Sequence, residues 1–235
     1  MASTTLDVAG AIAAARARIS TAAERAGRDP ARVRLVAVSK TVAAGRVAEA
    51  LAAGVTDLGE NRVQEAVAKR AQLPDDVRWH MVGHLQTNKA ARAASLFAVV
   101  HSVDSVRLAG LLAARRPGEL GELEVLLEVE LTGLPGHTGF APDGLVEAVA
   151  AIGRLEGVRL RGLMTMAPPV DDPEQARPAF ARLRGLRDEV EQRAGAPLPE
   201  LSMGMSDDYE VAVEEGATVV RLGRAIFGER PPRVP

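Results

Sequence analysis

The chain has 235 residues, 47% of them apolar, a formal net charge of −2 and no cysteine. That length and composition suit one large domain with an ample core, while the near-neutral, interspersed charge gives no electrostatic basis for binding nucleic acid or an anionic membrane. Disulfides, thiolate nucleophiles and Cys-ligated metals are excluded, and no apolar run reaches the roughly 20 residues of a membrane span.

Residues 6–26 predict an amphipathic helix: Val8, Ile12, Ala15, Ile19 and Ala22 recur at spacings of three and four, and Gly27 and Pro30 stop it. From Arg34 onward short apolar runs alternate with helical patterns. The runs predict strands at 35–38, 55–58, 79–82, 97–100, 125–129, 160–164, 201–203 and 219–222. Helices are predicted between them at 44–53, 61–72, 88–94, 105–115, 142–155, 173–194 and 207–215. Asp172, with Pro173 and Gln175 behind it, reads as an N-cap and capping box, and Asp207 with Glu210 as another. Pro178 conflicts with the sixth of these helices and implies a kink or a start near 177.

Short apolar strands alternating with helices indicate a parallel sheet covered by helices. Eight such units in about the length usual for this architecture predict a single (β/α)8 TIM-type barrel over residues 1–229, ahead of an open doubly wound sheet. Residues 230–235 are expected to form a flexible C-terminal tail. A closed barrel needs no partner, so a monomer is expected. Residues 1–30 lack the basic-then-apolar layout of a signal peptide, which makes a cytoplasmic location the expectation.

Barrels place their sites at the carboxyl ends of the strands, and the unusual residues here fall there. Of 29 basic residues only Lys40, Lys69 and Lys89 are lysines. A lysine kept where arginine serves elsewhere is expected to be needed for its amine, because an arginine cannot lose its proton or form a Schiff base. Lys40 ends the first strand, where burial would lower its pKa and free its nucleophile; a snorkelling cation is the plainer alternative. Ser206, at the end of strand seven, and Gly223-Arg224, opening a short helix after strand eight, form a candidate phosphate cradle, with simple helix capping as the alternative for Ser206. Arg221 on the last strand needs an acceptor, either in a buried ion pair or at a pyridine nitrogen. Asn61 either caps the second helix of the series or faces the site. His80 and His84 lack a suitable third ligand, so no metal site is expected. His101, Ser102 and Asp104 read as a turn and a helix cap, not a hydrolytic triad. His137 lies in the glycine-rich loop 133–139, the expected gate.

Seven blocks, in order along nearly the whole chain, resemble the pyridoxal phosphate homeostasis proteins. They are residues 35–41 (LVAVSKT), 59–65 (GENRVQE), 79–89 (WHMVGHLQTNK), 101–104 (HSVD), 162–166 (GLMTM), 201–208 (LSMGMSDD) and 221–228 (RLGRAIFG). The resemblance implies a barrel like the amino-terminal domain of alanine racemase, with pyridoxal 5′-phosphate (PLP) carried on Lys40. It further implies that Arg221 faces the ring nitrogen, that Ser206, Gly223 and the Arg224 amide face the phosphate, and that Asn61 lies near the ring. The chain departs from the family pattern at Arg62, often aromatic, at Arg224, often a small hydroxyl residue, and at His137, often lysine.

The implied function is to buffer or deliver PLP, with PLP-dependent apo-enzymes and free amino acids as further partners. A PLP-dependent racemase-type enzyme is the alternative, and an aldolase using Lys40 without cofactor is a third. An arginine at the ring nitrogen weakens the electron sink that turnover requires. Racemisation also wants a base on each face of the substrate, and the single tyrosine, Tyr209, is placed at a helix start. Binding without turnover is therefore expected.

Overall fold

The computed structural model describes residues 6–134 and 138–229; His137 and the expected tail lie outside them. Eight parallel strands close into a barrel in sequence order. They are β1 (Arg34–Val38), β2 (Asp57–Glu60), β3 (Arg78–Met81), β4 (Val99–Val103), β5 (Leu123–Glu128), β6 (Val158–Met164), β7 (Glu200–Ser202) and β8 (Val219–Leu222). Closure rests on four register pairs between β1 and β8, from Arg34 opposite Val219 to Ala37 opposite Leu222.

The helices are α1 (Val8–Arg25), α2 (Ala44–Ala52), α3 (Val63–Arg70), α4 (Ala90–Leu96), α5 (Val106–Arg115), α6 (Leu145–Ile152), α7 (Arg177–Ala194), α8 (Tyr209–Glu214) and α9 (Arg224–Phe227). The apolar stripe of α1 is buried as its spacing predicts, from Val8 through Ile12, Ala15 and Ile19 to Ala22. Most buried apolar side chains form one continuous layer between sheet and helices. Val99, Leu126 and Met164 form a separate small cluster.

Two start signals resolve differently from the sequence pattern. Asp172 does cap, accepting the Glu174 amide, but the turn it caps is a 3-10 segment over Pro173–Ala176. The α-helix starts at Arg177, where Pro178 needs no intrahelical partner. Asp207 caps nothing. It pairs with Arg224, while Asp208 is the N-cap position of α8 and takes the Met205 amide at 2.6 Å. Among the described residues no helix is long and apolar enough to cross a membrane.

Candidate functional site

Lys40 leaves β1 on a sharp turn. The Ser39 carbonyl accepts the Val42 amide at 2.9 Å, and Thr41 adopts φ 63, a left-handed conformation costly for a β-branched residue. The Thr41 amide is held by Glu65 at 2.9 Å. Behind the turn, fully buried Glu60 accepts Lys69 Nζ at 2.5 Å and Ser39 Oγ at 2.6 Å, and Lys69 also donates to the Ser39 carbonyl. Burial pushes the Glu60 carboxyl up, opposed by those two hydrogen bonds. The base of the Lys40 turn is thus fixed by a buried ion pair.

The six residues singled out from the sequence, Lys40, Asn61, Ser206, Arg221, Gly223 and Arg224, all line one cavity of about 230 Å³ at the carboxyl ends of the strands. Asn61 does not cap α3; Arg62 holds that position and makes no side-chain cap. The Asn61 backbone instead packs so closely on Gly83 that a Cβ there would lie 2.7 Å from the Asn61 carbonyl oxygen. Ser206 does not cap α8. Its Oγ accepts the Ala225 amide at 3.1 Å, tying the end of β7 to the start of α9. The first intrahelical bonds of α9 run from Ile226 and Phe227 to the Gly223 carbonyl, so the Gly223 and Arg224 amides precede the helical ladder. The Arg224 side chain turns to Asp207 and Glu229.

Arg221 is 5% exposed, and its direct partners are neutral. Nη1 donates to Ser202 Oγ at 2.6 Å and Nη2 to the Thr165 carbonyl at 3.0 Å. Burial lowers it to about 10, against the pull of Asp208 and Glu128. It therefore remains protonated at neutral pH. The ion-pair alternative is not realised by contact.

The histidines depart most from expectation. His101 and Ser102 are not a turn; they lie within β4, where the register against β5 shifts between Val100 and Val103, and such irregularities re-aim side chains. Ser105 is the N-cap of α5. His101 is fully buried, bonded to His80 Nδ1 and to Ser202 Oγ at 2.8 Å each. His80 is also fully buried, with Nε2 2.8 Å from Asp57 Oδ1. His84, half exposed, faces Asp104 instead. The sequence did hold a clue: His101 follows two valines on a strand, and a histidine so placed is buried and must find partners.

Glu128, at the end of β5, is 6% exposed and one of its carboxylate oxygens has no hydrogen-bond partner. Burial, with Asp104 and Glu130 nearby, raises it to about 7, against Arg221. A carboxyl that binds its proton more tightly folded than unfolded costs stability once both states are ionised. Stability should therefore fall as pH rises from about 4.5 through about 7. Glu128→Gln should remove that slope, gaining about 3 kcal/mol over wild type at pH 8 and little at pH 4.5. Urea unfolding at both pH values checks this; an equal gain at both would contradict the raised carboxyl.

The alanine racemase N-terminal domain family matches residues 11–231. The pyridoxal phosphate homeostasis protein of Pseudomonas aeruginosa is 47% identical over 224 residues, covering 95% of this chain and 96% of that protein. The Aquifex aeolicus protein of the same name is 42% identical, covering 91% and 94%. The chain belongs to the pyridoxal phosphate homeostasis protein family. Among solved structures of this family, PipY of Synechococcus elongatus with PLP bound superposes with a TM-score of 0.82 at 40% identity, covering 94% of this chain and all of that one. Alanine racemase of Clostridium difficile shares the fold, with a TM-score of 0.72 at 16% identity, and the match spans 57% of that enzyme.

Proposed function

We propose that the chain binds PLP, holds it through a Schiff base on Lys40, and serves PLP homeostasis by buffering or delivering the cofactor. The observation that carries this reading is the convergence in one cavity of the Lys40 amine, the permanently charged Arg221 and the Ser206–Gly223–Arg224 corner. The residues fit the group. An amine at one wall can bond an aldehyde, the leading amides of α9 suit a phosphate, and a guanidinium can face a ring nitrogen. When bound, PLP supplies an electron sink whose strength the protein sets.

Arg221 would set it low. Still protonated at pH 7, it would donate a hydrogen bond to the ring nitrogen and give up no proton, and so would keep that nitrogen unprotonated. Tyr209 supplies no second base opposite Lys40, being buried at the start of α8 with Arg18 5.4 Å over its ring. Asn61 also lines an open groove beside the cavity, with His84, Gln86 and Lys89.

The test is to load the protein with PLP and supply, separately, alanine of either hand and an apo-enzyme. Transfer to the apo-enzyme is expected, with no multiple turnovers of racemisation or transamination. Steady racemisation near the roughly 1–10³ s⁻¹ common for enzymes would overturn the carrier reading, as would a cofactor that cannot leave.

A further inference from the structure

An unbroken line of hydrogen bonds crosses the inside of the barrel from β8 to β2. Arg221 Nη1 meets Ser202 Oγ at 2.6 Å. Ser202 meets His101 Nδ1, His101 Nε2 meets His80 Nδ1, and His80 Nε2 meets Asp57 Oδ1, each at 2.8 Å. Five strands supply these groups, none more than 8% exposed. The line starts at the cofactor-facing residue and ends at the first residue of β2, on the opposite face of the barrel.

Its two ends dictate its direction. A guanidinium can only donate and a carboxylate can only accept. Each group between them has one donor and one acceptor when its imidazole is neutral. Burial holds both histidines below their usual value, His101 well below it, with the charges of Arg34, Arg78 and Arg221 adding to the effect. Asp57 stays ionised: burial pushes it up, but hydrogen bonds from His80 and Thr56, with Arg34 beyond, bring it below the usual carboxylate range. Only one arrangement then satisfies every atom. The Ser202 hydroxyl donates to His101 Nδ1, and both histidines carry their proton on Nε2. Around Asp57 the lower rim is charged on several strands, with Arg34 and Arg78 near its carboxylate, Glu124 on Arg78, and Glu200 between Arg34 and Arg161.

We propose that Asp57, His80, His101 and Ser202 are positioning residues for Arg221, a one-way hydrogen-bond chain that holds its guanidinium in register with the PLP ring nitrogen. A buried arginine has many rotamers and no carboxylate in contact here; the Thr165 carbonyl takes one nitrogen of the guanidinium and the chain supplies the acceptor for the other. The inference rests on the PLP reading for its purpose, though not for its geometry.

The test separates the two. In the cofactor-free protein labelled with ¹⁵N-histidine, NMR should show His80 and His101 as neutral, single Nε2–H tautomers at pH 7 and above. Asp57→Asn, which still offers an acceptor to His80, should keep both tautomers, because the Arg221 end still sets the direction. Ser202→Ala should keep them as well, because Asp57 and His80 still require the His101 Nε2 proton, but it leaves His101 Nδ1 without its donor and should shift that nitrogen's resonance. Binding is then compared for PLP and for its analogue with C–H in place of the ring nitrogen. Wild type should prefer PLP by about tenfold or more, the scale of a hydrogen bond to a charged group, and Ser202→Ala should shrink that preference severalfold while its thermal melt stays cooperative. A Ser202→Ala protein that keeps the full preference would overturn the positioning role, and so would a protonated or Nδ1–H form of His80 or His101 at pH 7 in wild type. A wild type that binds neither compound would overturn the PLP reading instead, leaving the tautomers to decide the chain.

Discussion

Lys40→Ala should abolish the visible absorption band of the PLP-loaded protein. On the proposed linkage the band arises from an imine on Lys40, and the other two lysines are placed elsewhere. Lys69 is 7% exposed and engaged by Glu60 and Ser39 behind the turn, while Lys89 lies beyond β3 in the adjoining groove. The variant should still hold some PLP without covalent attachment, since Ser206, Gly223 and Arg221 are untouched. Dialysis should therefore remove the cofactor from the variant far faster than from wild type, with no imine band at any stage. A persisting band would place the linkage on another lysine.

Lys69→Ala should destabilise the fold by about 3–5 kcal/mol at pH 8, the usual cost of stranding one partner of a buried ion pair. Glu60 is fully buried, and one of its oxygens already lacks a partner; removing Lys69 leaves only Ser39 on the other. The loss should be smaller at pH 5, where Glu60 can take up a proton more readily. Pairing the change with Glu60→Gln should recover much of the loss, because a neutral amide is less costly to bury than a lone carboxylate. Denaturant unfolding of wild type and the two variants at both pH values reads this out. An equal loss at pH 5 and pH 8 would show that Glu60 is not the group left exposed to the change.

The architecture was legible because helical and strand periodicities are strong where strands are apolar. β1 and β8 fall within a residue of the apolar runs that predict them. The two largest displacements are instructive. Apolar runs placed the second strand at 55–58 and the fourth at 97–100, whereas β2 runs Asp57–Glu60 and β4 runs Val99–Val103. Both shifts are towards polar residues, Asp57 and Glu60 in one case and His101 and Ser102 in the other. A pattern search for apolar runs misses strands whose inward faces carry a hydrogen-bond chain. The chain itself could not be seen in advance, because its members lie up to 164 positions apart, Asp57 to Arg221, and meet only when the barrel closes.

The site was more legible than its support. Lysine scarcity pointed to Lys40, and the strand-end position of Ser206 and Gly223 pointed to the same mouth. The same scarcity has a second cause at Lys69, where a compact ammonium fits against Glu60 and the Ser39 carbonyl together. Nothing in the local sequence distinguishes these two uses of an amine; the partner 9 residues away in β2 does.

The most direct test of the account is borohydride reduction of the PLP-loaded wild-type protein, followed by peptide mass mapping. The mass of reduced PLP should appear on the peptide containing Lys40, stoichiometrically and with loss of the visible band. The same mass on a peptide containing Lys69 or Lys89, or no fixed cofactor at all, would contradict it.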